Sequence, residues 1–419
     1  MDLILLSIGT EILKGRIANT NAQHMAARLF ASGFGVREIL SIGDTEEAII
    51  SSLEGCFAKA QVVIATGGLG PTRDDITKTA ACRYFGKKLI FDEELFKKLE
   101  LFFFSLGYKS FPELSRNQAL VPEGATVLPN PRGTASGILF EEQGRLLFLL
   151  PGVPGEMKGL LDEQVLPLLL KRFRAGEPET AIVRTIGLGE SVIAERIEKG
   201  LSEEELALLG YYPHGGQVDI VISGPPGGQS PSGGAIGRVA DHVAAVLEGY
   251  VFSRDERSLL EIIGSILSRE GKKLAVAESC TGGLLAKRIT DIPGSSAWFD
   301  SGVVSYSNRS KAAYLGVPPE LIEKCGAVSE EVAGAMAEGM RQACPADYAL
   351  GITGIAGPTG GTPEKPAGTV YIALSDETGT RSQKYKFNGD REQVRTRSVI
   401  KAVELLWRKL KEDYPLVLP

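Results

Sequence analysis

Short apolar runs recur along the chain, and each breaks on a cluster of glycines. Leu3–Ile8 runs into Gly9-Thr10-Glu11, Gln61–Ala65 into Thr66-Gly67-Gly68-Leu69-Gly70, and Leu146–Leu150 into Pro151-Gly152-Val153-Pro154-Gly155. Between them lie stretches with apolar positions at three- and four-residue steps, over Asn21–Leu29 and Glu46–Phe57. Asp44-Thr45, with Glu47 three residues after Asp44, reads as the cap of the second helix. Strand–helix alternation of this kind predicts a parallel, doubly wound sheet over roughly residues 1–172.

The texture then changes. Residues 176–252 read as strand (Ala181–Ile186), helix (Ser191–Ile197), strand (Val218–Ser223) and helix (Ile236–Leu247), with a Gly-, Pro- and Ser-rich hairpin or loop over Gly224–Gly234. This small α+β module resembles the KH-like modules that bind RNA. It lacks the basic, glycine-flanked clamp such modules use, so nucleic-acid binding is not expected. After a charged bridge at Ser253–Arg257, residues 258–415 read as a second α/β domain. Its helices are Leu259–Leu267, Leu284–Ile289, Ser329–Cys344 and Gln393–Leu410; its strands are Lys273–Ala277, Gly302–Tyr306, Tyr348–Thr353 and Thr369–Leu374. The fold class is α/β: two doubly wound domains joined by a KH-like module.

Composition narrows the chemistry. The 419 residues are too many for one ordinary domain, and 43% hydrophobic with 23% charged suits packed cores. A net charge of −6 does not suit a protein held mainly by nucleic-acid phosphates. No apolar run reaches bilayer length, and the first residues lack a basic leader, so a cytoplasmic location and no membrane partner are expected. Five cysteines without a CxxC argue against disulfides and structural zinc. With only His24, His214 and His242, none near a strong motif, a Ser-His-Asp mechanism is improbable.

Thr66-Gly67-Gly68-Leu69-Gly70-Pro71-Thr72-Arg73-Asp74-Asp75-Ile76-Thr77 is the most informative string of the first half. Glycines after a strand let backbone N–H groups approach an anion. Adjacent carboxylates would repel a phosphate unless a hard divalent cation lies between them. Further carboxylates at strand ends are Glu11, Asp44 and Glu156; Lys14 and Arg16 are candidate phosphate contacts. The plainer alternative is that the glycines shape turns and the two aspartates cap a helix.

These strings, with Leu150–Met157, the opening Ser7–Leu13 and Asn19-Thr20-Asn21, resemble the molybdopterin-binding fold and, more specifically, the CinA family (competence/damage-inducible protein A). The resemblance implies a metal-dependent ADP-ribose pyrophosphatase using Mg, Mn, Co or Ni. Asp74 and Asp75 are then catalytic and, with Asp44, hold the metal. Gly9, Glu11, Asn21, Gly67, Gly68, Gly70, Thr72, Pro151 and Gly152 line the substrate.

In the last domain Ala277-Glu278-Ser279-Cys280-Thr281-Gly282-Gly283 joins a predicted strand to a helix, placing Ser279 in a tight turn beside free N–H groups. Without a histidine, a lysine of depressed pKa or a tyrosine must take the proton. Ser305-Tyr306-Ser307-Asn308 followed by Lys311 supplies both. Cys280 is the rival nucleophile, and a merely capped turn is the plain alternative.

With PGSSAWFDSGVVSYSN, GAVSEE, GITGIAGPTGG and KPAGTVYIA, the stretch from about Leu259 to Trp407 resembles the C-terminal domain of the same family, whose stand-alone relatives deamidate nicotinamide mononucleotide. That implies Ser279 as nucleophile activated by Tyr306 and Lys311, without a cofactor. Thr281, Gly282, Gly283, Asn308, Thr353, Gly354 and Gly357 then belong to the nucleotide site. Arg391 and Arg395 are candidate partners of the substrate phosphate, with a solvated helix face as the plain alternative. The expectation is a bifunctional, homodimeric enzyme of pyridine-nucleotide recycling. Its alternatives are a first domain that binds without hydrolysing, and a competence factor that handles DNA.

Overall fold

The structure is a computed structural model, and it describes residues 2–173, 176, 178–225 and 234–414. The chain divides between Glu179 and Thr180 into two compact units, with Gly224 and Pro225 going to the first. Most of the predicted Gly224–Gly234 loop and the expected end of the last domain at residue 415 lie outside the described residues.

The first unit runs β1 (Leu3–Ile8), α1 (Thr10–Leu13), α2 (Thr20–Ala31), β2 (Val36–Ile42), α3 (Glu46–Phe57), β3 (Val62–Thr66), α4 (Thr77–Phe85), β4 (Leu89–Phe91) and α5 (Glu93–Ser105). It continues with β5 (Leu120–Pro122), β6 (Thr126–Leu128), β7 (Gly137–Glu142), β8 (Arg145–Leu150), α6 (Pro154–Leu160) and α7 (Leu166–Arg172). The main sheet has the order β2-β1-β3-β8-β7-β6. Its inner strands β1 and β3 are wholly buried, which is why they read as unbroken apolar runs rather than alternating ones. Helix α3 spans the predicted residues, although Thr45 alone caps it, by accepting from the Ala48 N–H.

The sheet is not parallel throughout. Strands β2, β1, β3 and β8 are parallel, but β7 pairs antiparallel with both β8 and β6. The reversal comes from Gln143 and Gly144, with φ of 50° and 77°, which form a two-residue turn matched to strand twist.

The second unit opens with β9 (Thr180–Ile186), α8 (Glu190–Ile197), α9 (Glu203–Leu206), β10 (Leu209–His214), β11 (Gln217–Ser223), α10 (Ala235–Val246) and β12 (Val251–Ser253). Strands β10 and β12 were not predicted; they complete a four-stranded sheet of order β10-β11-β9-β12. There follow α11 (Leu259–Arg269), β13 (Leu274–Glu278), α12 (Leu284–Thr290), β14 (Phe299–Val304), α13 (Asn308–Leu315), α14 (Pro319–Cys325) and α15 (Glu330–Ala343). The chain ends with β15 (Tyr348–Gly354), β16 (Thr369–Asp376), β17 (Gly379–Lys386) and α16 (Arg391–Asp413), around a sheet of order β14-β13-β15-β16-β17. Strand β14 stops at Val304, so Tyr306 is in a loop and not in the predicted strand.

The KH-like module shares its core with the domain that follows it. Ile186 and Phe252 belong to the same buried cluster as Leu259, Leu406 and Trp407. Arg184 donates from Nη1 to the carbonyls of Glu256 and Arg257, pinning β9 to the connection.

The turn after β3 depends on one glycine. Gly67 has φ 110°, and a Cβ there would stand 2.0 Å from the Ile8 carbonyl oxygen. Gly67→Ala should destabilise the first unit by more than about 1 kcal/mol through backbone strain. Gly155→Ala, in α6 with open space around it, should be neutral or stabilising. Thermal unfolding followed by circular dichroism separates the two; equal melting temperatures for both variants would refute the strained-turn account.

Candidate active sites

Both sites form where the connections that leave two neighbouring strands run to opposite sides: β1 leads to β2, and β3 toward the β8-β7-β6 side; β13 leads to β14, and β15 to β16. In the first unit β1 lies between β2 and β3, and in the second β13 lies between β14 and β15. A crevice opens at the carboxyl ends of such strands.

In the first unit the turns after β1, β3 and β8 line a cleft of about 440 Å³. Gly9, Glu11, Asn21, Asp44, Gly67, Gly68, Gly70, Asp74, Asp75, Pro151 and Gly152 all line it, as does Glu156. Thr72 does not. Its N–H and hydroxyl instead hold Asp75 Oδ2 at 2.8 and 2.5 Å, closing a local turn. Asp44 is engaged by the Thr10 hydroxyl. Fully exposed Asp74 is held below the ordinary carboxylate range by a hydrogen bond from Thr72. Among the described residues, the N–H groups of Gly68, Gly70 and Gly152 have no acceptor, so the glycine turns present free donors to an anion.

No group of three or more His, Cys, Asp and Glu side chains among the described residues is placed to hold a metal ion. The predicted set of Asp44, Asp74 and Asp75 is therefore not a closed protein cage. Its donors suit a hard cation that takes one or two carboxylates and completes its shell with phosphate oxygens and water.

Two further side chains define the cleft. Glu156 accepts from Asn130 Nδ2 at 2.6 Å, and burial pushes its carboxyl above the ordinary value. Gln118, 4% exposed, donates from Nε2 to Thr134 Oγ1 at 3.0 Å and leaves its Oε1 without a partner. No glycine turn or paired charge flags Gln118 in the sequence.

In the second unit Ser279 follows β13 directly, and its N–H is bound to the Ile352 carbonyl on β15 at 2.9 Å. Lys311 on α13 is 1% exposed, and its Nζ lies 3.0 Å from Ser279 Oγ, 2.9 Å from the Ser305 carbonyl and 3.2 Å from the Tyr306 carbonyl. Burial lowers the Lys311 pKa below the ordinary lysine value. The amine thus donates to three oxygens, the Ser279 hydroxyl among them, and has no carboxylate partner among the described hydrogen bonds and ion pairs.

The rival nucleophile has the opposite environment. Burial pushes the Cys280 thiol up to about 12, which keeps it protonated at neutral pH.

Glu278 had no role in the sequence reading. It is 1% exposed, and its carboxylate accepts from the N–H groups of Gly283, Leu285 and Ala286 at 3.1, 3.1 and 2.8 Å. The first turn of α12 is thereby closed to a substrate oxyanion. The free donors are the N–H groups of Cys280 and Thr281, which have no acceptor among the described residues. The local signal was a carboxylate next to the nucleophile and five residues before Gly283.

Tyr306 is 61% exposed, and its side chain is not placed on Ser279; its hydroxyl accepts from Arg391 Nη2 at 3.1 Å. Arg391 also donates to the Gly357 carbonyl at 2.9 Å, and Arg395 donates to the Thr281 carbonyl at 2.7 Å. The Thr353 hydroxyl is spent on the Ala327 carbonyl at 2.8 Å. A Cβ at Gly354 would meet Val370 at 2.7 Å, so close strand packing accounts for that glycine. Gly282 and Gly283 adopt φ of 62° and 88° in the turn into α12, and Asn308 opens α13 exposed.

Three family patterns match the chain in order. "Probable molybdopterin binding domain" matches residues 4–171, "Damage-inducible protein CinA KH domain" residues 180–253, and "CinA C-terminal domain" residues 256–410. A CinA-like protein of Geotalea uraniireducens is 42% identical, covering 98% of each chain, and one of Geobacter metallireducens is 43% identical, covering 98% of this chain and 99% of that one. The crystal structure of a competence damage-inducible protein A from Klebsiella pneumoniae aligns with 36% of this chain and 94% of its own at 36% identity and a TM-score of 0.36. With such identity over nearly its full length, and all three patterns in register, the chain belongs to the CinA family.

Proposed function

We propose that the C-terminal site is a serine amidohydrolase acting on nicotinamide mononucleotide. The observation that carries this reading is the 3.0 Å contact between the buried Lys311 amine and Ser279 Oγ. The Ser279 hydroxyl proton passes to the Nζ lone pair as Oγ bonds to the carboxamide carbon, and the carbonyl electron pair moves onto oxygen. The N–H groups of Cys280 and Thr281 are the donors available to that oxyanion. On collapse, Lys311 returns the proton to the leaving nitrogen and ammonia departs, leaving a Ser279 ester. Water then attacks the ester with Lys311 again as base, giving nicotinate mononucleotide and free serine. Arg391, held by Tyr306 and Gly357, is the cation that meets the substrate phosphate.

The first cleft is read as an ADP-ribose pyrophosphatase that yields AMP and ribose 5-phosphate. The free N–H groups of Gly68, Gly70 and Gly152 bind and orient the diphosphate. Asp74 and Asp44 would hold a divalent cation, which supplies charge neutralisation at the phosphates when bound. Asp75 keeps the Asp74 loop in place through Thr72. Both activities place the protein in pyridine-nucleotide recycling.

Ser279→Ala and Lys311→Met should each lower ammonia release from nicotinamide mononucleotide by at least about 10²-fold, while Cys280→Ser keeps most activity. An active Ser279→Ala protein beside a dead Cys280→Ser protein would transfer the chemistry to the thiol. The pH profile gives a second check. The base form of Lys311 is needed, so kcat/KM should rise with pH through a single ionisation below the ordinary lysine value and then level off. A rate that falls over that range would contradict an amine base.

Chelator should abolish ADP-ribose hydrolysis and leave ammonia release untouched. Asp74→Ala should do the same to the hydrolysis. Undiminished AMP formation in either case, read by chromatography, would reduce the first cleft to a binding module.

A further inference from the structure

A second cleft in the second unit, about 490 Å³, lies between the KH-like module and the C-terminal domain. Its floor is apolar: Leu259 from α11 with Val399, Ile400 and Val403 from α16. The β10–β11 hairpin closes one side, and a Cβ at Gly215 would come within 2.9 Å of Ile400 Cδ1.

The charges around the cleft are almost all committed. Arg184 pairs with Asp219 at 3.0 Å, and His214 Nε2 lies 3.0 Å from the other oxygen of the same carboxylate. Glu261 caps α11 through the N–H and hydroxyl of Ser258, and Asp291 pairs with Lys287 at 2.6 Å. Arg288, half-buried on α12, has no ion-pair or hydrogen-bond partner among the described residues. The cleft therefore carries one uncommitted positive charge above an apolar floor.

We propose that this cleft binds a small anion bearing an apolar ring, with Arg288 as its charge partner, and that its occupancy is felt at Ser279. The ring covers Val399, Ile400 and Val403 and the anionic group meets the guanidinium. The coupling runs through two helices that serve both places. Helix α12 carries Arg288, and its first turn is bound by Glu278 beside the nucleophile. Helix α16 carries the floor of the cleft, and its first two turns carry Arg391 and Arg395, which hold Tyr306 and the Thr281 carbonyl. A ligand that tightens either helix shifts the loop that aims Ser279.

The full chain is titrated with 8-anilinonaphthalene-1-sulfonate, an aromatic anion, exciting Trp298 and Trp407 and reading dye emission. The chain's two tryptophans both lie in the unit that holds the cleft. Saturable binding is expected in the wild type. Arg288→Glu should weaken it at least tenfold, Arg288→Lys should stay within a few-fold, and Thr396→Phe, which fills the cleft, should abolish it. Circular dichroism checks folding, and Arg288→Gln substitutes if Arg288→Glu does not fold. Wild-type binding in both the Arg288→Glu and Thr396→Phe proteins overturns the site; loss in Thr396→Phe alone overturns the anionic class.

Saturating dye should also change kcat or KM for ammonia release at least twofold in the wild type and not in Thr396→Phe. This arm rests on the amidohydrolase reading. No change in an active enzyme overturns the coupling. A chain that releases no ammonia refutes the amidohydrolase instead, and the binding arm still decides the site.

Discussion

Parallel strands cannot be joined by tight turns, and that constraint places both sites. Each crossover must leave the carboxyl end of a strand and return over a face of the sheet. The connections leaving β1 and β3 depart to opposite sides, as do those leaving β13 and β15, so a crevice is left at the strand ends between them. Only backbone turns can fill such a crevice without closing it. Gly67 approaches the Ile8 carbonyl as no other residue can, and Gly282 and Gly283 turn the chain with positive φ after Ser279. Free N–H groups are the chemical consequence. In the first cleft those of Gly68, Gly70 and Gly152 have no acceptor among the described residues, whereas in the second Glu278 takes three and leaves those of Cys280 and Thr281.

Lys78 in the first unit and Lys311 in the second are both buried without an ion pair among the described residues, and the neighbours decide what the burial achieves. Lys78 on α4 is 8% exposed and donates to the carbonyls of Asn117 and Leu120 at 2.9 and 3.0 Å. Burial lowers its pKa to about 8, against a raising contribution from the charge of Asp75. Its contacts tie α4 to the segment before β5, which is structural work. Lys311 has a similar pair of carbonyls and, in addition, a hydroxyl that occupies the third direction of its nitrogen. That third contact sets Lys311 apart from Lys78. Burial lowers the pKa of the Lys311 amine and raises that of the Cys280 thiol, two directions with one physical cause that, in the proposed reaction, both favour the oxygen nucleophile over the sulfur.

What the sequence made legible follows the same division. Buried parallel strands announced themselves as apolar runs ending in glycines, because both faces of β1, β3 and β13 are covered. The Ser279–Lys311 pair was legible through the resemblance of the AESCTGG and VVSYSN strings to the family's C-terminal domain; the residues alone left a lysine or a tyrosine as base and Cys280 as a rival nucleophile. The β7–β8 hairpin was missed because Gln143-Gly144 lacks the usual asparagine or aspartate before glycine. Thr72 and Thr353 looked like ligand contacts, but short hydroxyl side chains bond whatever local oxygen is nearest, and here those are Asp75 and the Ala327 carbonyl. Strands β10 and β12 were missed for a different reason. β10 alternates only weakly in burial and becomes a strand by folding back on β11 through the two-residue Gly215-Gly216 turn, whereas β12 is three residues long and is made a strand by pairing with the distant β9.

The middle module is tied to the domain that follows it. It buries a core of its own, with Val183, Ile193, Ile220 and Val239 in it, and in addition contributes Ile186 and Phe252 to the cluster that holds residues of α11 and α16. Gly187 faces the Glu404–Arg408 pair so closely that a Cβ would stand 2.6 Å from the guanidinium, and Lys411 donates to the Glu248 carbonyl at 3.0 Å. Every one of these contacts falls on the last four turns of α16 or on the connection into α11, while the first two turns of α16 carry Arg391 and Arg395 at the serine site. The start of α16 thus carries Arg391 and Arg395, bonded to the Tyr306 hydroxyl and the Thr281 carbonyl, while its later turns pack against the module, so one continuous helix touches both places.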